Sequence, residues 1–252
     1  MYCRSSIVKE FAKELGYIVY KLYQKFRNPP FDEYNYQTFD VFKKILKKDS
    51  NCIDIGANKG DILKKILKAS PHGMHFAFEP IPDICTELNR KFSKKVKILN
   101  CALSNKNGMS EFHFFIDRPA VSGLAKRHFD IDYRCTTIQV ATHCLETLIP
   151  ANLKIDLIKI DVEGAEYLVF DGARNLIKKY KPVILFEFGY GAADLYHITP
   201  DMMFDFMSEM NMEINTLSYF LENKPALNRA EFRGQFQKGY NYFFIAYAAN
   251  GH

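Results

Sequence analysis

No stretch of this 252-residue sequence approaches the ~18–20 consecutive apolar residues of a bilayer-spanning helix, so no transmembrane segment is expected. There is no Cys-x-x-Cys pair and no Cys/His cluster at zinc spacing, which leaves no sequence case for a structural zinc site. The cysteines Cys3, Cys52, Cys85, Cys101, Cys135 and Cys144 stand far apart, and Cys52 and Cys101 fall in strand-like apolar runs. They read as free thiols in a reducing compartment. Internal repeats and low-complexity tracts are also missing, so no repeat array is expected. The opening residues MYCRSSIVKEFAKELG lack the continuous apolar stretch of a secretory signal, and a soluble, cytoplasmic protein is the expectation.

Charge of one sign is scarce outside the N-terminal region. The net charge is +5, but residues 1–50 hold ten Lys/Arg against six Asp/Glu, and the rest of the chain holds 24 against 23. A nearly neutral body does not argue for a nucleic-acid partner. An RNA-directed enzyme would draw only on the basic first 50 residues.

What is present is enough apolar sequence, 48%, to bury one large domain or a domain with an appendage. Two parts are expected: an N-terminal helical extension over residues 1–50 and a main domain over 51–252. Ile7, Phe11, Leu15, Val19, Leu22 and Phe26 recur at helical spacing, with Lys9, Lys13, Lys21 and Lys25 opposite. That helix could lie on an anionic membrane surface, or pack on the domain or on a second subunit as a homodimer element. Glu10 and Glu14 dilute its positive face and favour packing. Asn28-Pro29-Pro30 breaks it. A second helix is predicted over Tyr36–Lys48, with Phe39, Phe42, Ile45 and Leu46 inward.

Past Ser50, short β-like runs alternate with helical patterns. Strands are predicted at Cys52–Ile55, Met74–Phe78, Val96–Leu99, Ile155–Ile160 and Val183–Phe188. Helices are predicted at Gly60–Ala69, Pro82–Phe92 and Glu166–Lys179. This alternation means βαβ units and a mostly parallel, doubly wound α/β sheet. Phe112–Ile116 and Thr136–Thr142 resemble an inserted hairpin. A helix over Pro200–Met210 and strands over Glu213–Leu217 and Tyr240–Ala248 complete the pattern.

In an open parallel sheet, ligands sit beyond the carboxyl ends of the strands. The first strand runs into Gly56-Ala57-Asn58-Lys59-Gly60, where glycines permit close backbone approach and a helix start favours an anionic group. Many ordinary turns contain two glycines. The second strand ends on Glu79, followed by Pro80, at a distance from Gly60 that suits an acid bonding ribose hydroxyls. The bland alternative is a solvated strand-end carboxylate. The third strand leads into Ala102-Leu103-Ser104, apolar enough to border an adenine ring. The fourth ends in Lys159-Ile160-Asp161-Val162-Glu163-Gly164-Ala165-Glu166, where Glu166 alone is explained by a helix N-terminus. The fifth ends on Glu187. Acids at three strand ends suit a cationic ligand centre, a metal or proton abstraction.

The succession DIGANKG, FEP, NCALSNKNG, IDLIKIDVEGAEYLVFDGA and PVILFEFG, from about Asn51 to Gly189, resembles the FkbM family of S-adenosylmethionine-dependent methyltransferases, with KIDVEGAE the most specific block. The chain departs at His143-Cys144-Leu145-Glu146, where the family often has Thr-Leu-Asp. The resemblance implies a class I methyltransferase, Rossmann-like sheet of seven strands whose last strand, here Tyr240–Ala248, is antiparallel. It implies S-adenosyl-L-methionine as cofactor and O-methylation of a small-molecule or glycan hydroxyl. Carried over by position, Asp54 and the loop Gly56, Ala57, Asn58 and Gly60 would hold the methionine part. Glu79 with Pro80 would take the ribose, and Ala102, Leu103 and Ser104 would border the adenine. Asp161 and Glu163 would lie beside the transferable methyl. Ser122-Gly123-Leu124 resembles a family segment near the acceptor.

An alcohol acceptor needs a base as its C–O bond forms. The candidates are Glu163, Asp161 and Glu187, in that order, with His128, His143 and His197 as rivals that read more simply as surface or structural residues. A divalent ion at the three acids is a further option, since hard oxygen donors suit magnesium. Two other functions share the layout: an NAD-binding oxidoreductase, against which GANKG lacks the G-x-G-x-x-G order, and a non-catalytic cofactor-binding protein, against which the strand-end acids speak. The acceptor site is expected from Phe115–Thr137, Tyr190–Pro200 and Tyr219–Gly239, rich in aromatic residues.

Overall fold

A computed structural model describes residues 31–130 and 132–249. The helix expected over Ile7–Phe26, and its membrane or dimer role, lie outside the described residues. The chain divides into two compact units, one ending at Thr38 and the other beginning at Phe39. The helix α1 (Phe31–Ile45) begins earlier than its apolar pattern predicts, directly after Pro29-Pro30, and stops short of Lys48. Proline is well tolerated at the start of a helix, where its missing N–H costs nothing.

Within the larger unit, β1 (Cys52–Ile55), β2 (His75–Phe78) and β3 (Val96–Leu99) pair in parallel, with α2 (Asp61–Ala69) and α3 (Pro82–Phe92) as their connections. Then β4 (Ala102–Leu103), β5 (Gly108–Phe115) and β6 (Cys135–His143) form a separate sheet of order β4-β6-β5. The expected hairpin is there, longer at both ends, with Phe112 opposite Ile138. The chain re-enters the main sheet with β7 (Leu157–Ile160), α4 (Glu166–Asp171), α5 (Arg174–Tyr180) and β8 (Val183–Glu187). It ends with α6 (Pro200–Glu209), β9 (Met212–Thr216), α7 (Leu217–Leu221), α8 (Arg229–Lys238) and β10 (Phe243–Ala248).

The main sheet has seven strands in the order β3-β2-β1-β7-β8-β10-β9, and β10 is antiparallel to both neighbours. Strand order therefore reverses between β1 and β7, and a crevice at their carboxyl ends is the usual ligand position in such a sheet. Across this pair Asp54 is in register with Lys159, and Ile55 with Ile160. Both strands are buried along their whole length, as expected for central parallel strands covered on two faces. The core beneath is aromatic: Phe170 meets Phe186 edge-on at 5.3 Å, and Phe232 meets Phe244 at 5.0 Å. All four rings are essentially inaccessible to solvent. No helix among the described residues is long and apolar enough to cross a membrane.

Three local expectations change. β2, β7 and β10 begin later than predicted, at His75, Leu157 and Phe243. The single helix predicted over Glu166–Lys179 is two helices, α4 and α5, because Gly172 lies against another backbone: a β-carbon there would stand 2.0 Å from the Ser104 carbonyl oxygen. The unpredicted helix α8 opens with a capping box. Asn228 accepts from the Glu231 amide at 3.0 Å, and the Glu231 carboxylate accepts from the Asn228 amide at 2.8 Å.

Two glycine replacements should move stability in opposite directions. Gly172→Ala forces a methyl group into the Ser104 backbone and should destabilise by about 1–3 kcal/mol. Gly234→Ala, in α8 with open space around it, should stabilise by about 0.5–1 kcal/mol. Chemical denaturation of the two variants checks both signs.

Candidate active site

At the exit of β1, Asp54 is fully buried. The Lys159 ammonium lies 3.8 Å from its carboxylate and 3.1 Å from that of Asp161. The same ammonium donates to the Gly56 carbonyl at 3.3 Å. Neither Asp54 oxygen has a hydrogen-bond partner among the described residues. Burial pushes the Asp54 carboxyl up to about 6, with Lys159 pulling against it. The chain then turns through Gly56, φ 73°, where a β-carbon would stand 1.9 Å from the Asp161 carbonyl oxygen. The loop thus lies flush against the exit of β7, and only glycine permits that approach.

Asn58, φ 46°, follows in the same loop, and its Oδ1 is buried with no partner among the described residues. Gly60 stands at the N-cap of α2. The Asn58 and Ile81 amides each donate to the Glu79 carboxylate, one per oxygen, at 2.9 Å. The exit of β2 is therefore tied to the glycine loop, and Glu79 keeps further lone pairs for a ligand. Burial raises the Glu79 carboxyl above its ordinary value against these two hydrogen bonds. Asn100 fastens the exit of β3 to the same place, donating to the carbonyls of Glu79 at 2.8 Å and Pro80 at 3.0 Å.

On the far side of Asp161 is a cluster of acids. Carboxylate oxygens of Asp161, Glu163 and Glu187 all lie within 4.8 Å of one another. Glu163 has φ 58°, a left-handed conformation uncommon for a residue with a β-carbon. Its carboxylate accepts from Arg127 Nη1, and the Arg127 guanidinium lies 5.4 Å from the Phe129 ring. Burial, then the charge of Asp161, raises Glu163 to about 8, with Arg127 opposing. Burial and the charges of Asp161, Glu163 and Glu166 raise Glu187 well above an ordinary carboxyl. Glu166 accepts from the Val162 and Gly164 amides at 3.0 and 3.2 Å, which accounts for it as a structural cap; burial raises it to about 7.

The structure thus brings Asp54, Gly56 and Asp161 around Lys159, ties Asn58 to Glu79, and gathers Asp161, Glu163 and Glu187. The remaining expected residues are placed differently. Ala102 packs with Ile81, Phe112 and Val140, and Leu103 belongs to the main core. The Ser104 amide donates to the His143 carbonyl at 3.0 Å. His143 ends β6, and His197 ends a 3-10 turn. The Ser122-Gly123-Leu124 segment does reach the acids: a β-carbon on Gly123 would stand 3.4 Å from Glu163 Cβ. Next to it, the Ala125 amide donates to the Tyr196 hydroxyl at 2.8 Å.

Sequence reasoning gave no role to Lys159 or Arg127, and placed Tyr196 only among the aromatic residues of the acceptor loops. Lys159 carried a signal, a cation between Ile158 and Ile160 in a buried strand. Arg127 and the hydrogen bond from Ala125 to Tyr196 carried none, because the partners are distant in sequence.

Comparison with known proteins gives concordant matches. The model of the methyltransferase FkbM domain family matches residues 54–219. Among curated proteins the chain is similar to the 2-O-methyltransferase NoeI of Sinorhizobium fredii (strain NBRC 101917 / NGR234), 26% identical over 157 residues. That match covers 55% of this chain and 63% of the relative, so the chain spans less than two thirds of the relative's length. Among solved structures it is similar to the methyltransferase FkbM from Methylobacillus flagellatus KT, with a TM-score of 0.52 at 15% identity over 84% of this chain and 48% of that one. This likeness bears on the fold, which is the class I methyltransferase-like α/β arrangement.

The buried acids set a pH dependence of stability. Asp54, Glu166 and Glu163 titrate at about 6, 7 and 8 in the folded chain, against about 4 for carboxyls in an unfolded chain. Between those values the folded state holds more protons, so raising the pH favours unfolding. The ligand-free melting temperature should therefore fall from pH 5 to pH 8. Glu166→Gln, neutral throughout, should flatten that fall in differential scanning fluorimetry.

Proposed function

The chain belongs to the FkbM methyltransferase family, and from that premise we propose that it transfers a methyl group from S-adenosylmethionine to a hydroxyl oxygen of a sugar, glycan or other secondary metabolite. The observation that carries this reading is the adjacency of two differently equipped halves at the switch in strand order. One half offers buried acceptors with no hydrogen-bond partner among the described residues, and the other offers Glu163 and Glu187 with raised carboxyls. The family sets the chain among methyltransferases rather than oxidoreductases. The name of the curated relative specifies transfer to oxygen, in agreement with an oxygen acceptor here.

The residues present fit the cofactor. Both Asp54 oxygens and Asn58 Oδ1 are buried acceptors with no donor among the described residues, and leaving such groups unmet costs about 1–3 kcal/mol each. An ammonium group meets the first need and suits a negatively charged wall. Gly56 opens the backbone to close approach. Glu79, held by two amides, is oriented to accept from a pair of ribose hydroxyls. Asp54, Gly56, Ala57, Asn58, Gly60, Glu79 and Pro80 would hold the methionine and ribose portions, with Ala102 to Ser104 toward the base. When bound, S-adenosylmethionine supplies a methyl group already activated on a sulfonium.

The chain's own share is then positioning, water exclusion and proton removal. Glu163 is the base of choice. It is half-buried, it titrates near the working pH, and Arg127 fixes its direction. Asp161 and Glu187 stand beside it in the same cluster, and Glu187, raised well above an ordinary carboxyl, can relay the proton taken from the acceptor. Phe129, beside Arg127, and the loop held by Tyr196 border this side, where an acceptor would enter.

S-adenosylhomocysteine at 100 times its Kd should stabilise the fold by about 2.7 kcal/mol, and Glu79→Ala should remove most of that gain in a thermal-shift titration. No shift at millimolar ligand would refute the cofactor assignment. With acceptors that turn over in a panel of glycosides and phenols, Glu163→Gln should lower kcat by about 10²–10⁴-fold. Wild-type kcat/KM should rise with pH and level off above about 8, the value at which Glu163 loses its proton.

A further inference from the structure

We propose that Lys159 is a positioning residue for cofactor binding: its ammonium keeps Asp54 a carboxylate while leaving both Asp54 oxygens available to the ligand. The inference rests on the function proposed above and adds a residue that the family resemblance does not assign.

Lys159 is 4% exposed, inside a strand whose neighbours Ile158 and Ile160 are core residues. Burying an ammonium there is costly unless charge and hydrogen bonds answer it. It is answered by the glycine-loop carbonyl of Gly56 at 3.3 Å and by Asp161 at 3.1 Å. Asp54 stands at 3.8 Å, too far for a hydrogen bond but close enough for Coulomb attraction at low dielectric. A direct hydrogen-bonded pair would have occupied the lone pairs that the loop presents. The spacing supports the charge without consuming the acceptors.

The groups that face Asp54 leave this work to Lys159. Asp161 stands on the β7 side and Glu79 on the β2 side, both acidic, and Cys52 lies on the same strand. Every one of these disfavours the Asp54 carboxylate when charged. Lys159 alone among them opposes its protonation. Without it, Asp54 would hold a proton at neutral pH and lose its attraction for an ammonium.

The test is isothermal titration of S-adenosylhomocysteine, which carries that ammonium, into the full chain between pH 5 and pH 9. For the wild type, affinity should weaken as pH falls through about 6, where Asp54 takes a proton. For Lys159→Met the weakening should begin at least about one pH unit higher, raising Kd at pH 7 by about twofold or more and recovering toward pH 9. Lys159→Arg should restore the wild-type profile. A Lys159→Met profile parallel to the wild type, displaced equally at every pH, would mean a merely structural lysine and overturn the inference. Should Lys159→Met not fold, Asp54→Asn decides. It should bind weakly with no step near pH 6, and an unchanged wild-type profile in it would overturn the inference. Wild-type protein that binds no S-adenosylhomocysteine would instead refute the function on which the inference rests.

Discussion

Where the strand order reverses, one buried ammonium serves three groups from two neighbouring strands. Lys159 has to satisfy the Gly56 carbonyl, the Asp161 carboxylate and the charge of Asp54 together, because no other cation lies among the groups that act on Asp54. The glycine loop can come within reach only because Gly56 has no side chain to strike the Asp161 carbonyl. Strand register, loop path and charge balance are therefore one problem with one solution. Moving any of the three would leave a charge in the interior unanswered, which costs far more than an ordinary surface contact is worth.

Around that point the sheet divides its acids by task. Glu79 is pinned by two backbone amides and so has a fixed direction. Glu166 spends its lone pairs on the Val162 and Gly164 amides and shapes the turn after β7. Asp161, Glu163 and Glu187 crowd one another, and burial with that crowding lets Glu163 and Glu187 keep protons to higher pH than free carboxyls. Arg127 restrains one member of that group from a loop that belongs to neither strand. The same residue type thus serves as ligand holder, structural cap and proton acceptor, according to what its oxygens already meet. The cost is a fold strained by its own negative charge, as functional sites often are.

Much of this architecture was legible in the sequence, since buried parallel strands announce themselves as short apolar runs between helical patterns. β1, β3 and α3 fall at their expected residues. The misplaced boundaries have tertiary causes. α4 and α5 separate because Gly172 abuts Ser104, nearly seventy residues away. α8, with few apolar residues and a weak periodic pattern, is held by its capping box and by Phe232 and Phe236. At the site, the glycines and the strand-end acids could be read directly, because strand ends and turn chemistry are local. Arg127 and Tyr196 could not, because they enter through loops whose path depends on the second sheet. Ala102 and Leu103, expected to border an adenine, are buried where β4 pairs with β6, a pairing that no local pattern announces.

The account stands or falls on whether the crevice between β1 and β7 is a nucleoside site at all. A crystal structure of the chain with S-adenosylhomocysteine addresses this directly. The ligand's ammonium should approach Asp54, its ribose hydroxyls Glu79, and its sulfur should open toward Asp161 and Glu163. A complex with the ligand seated elsewhere, and these four residues free of it, would contradict the account.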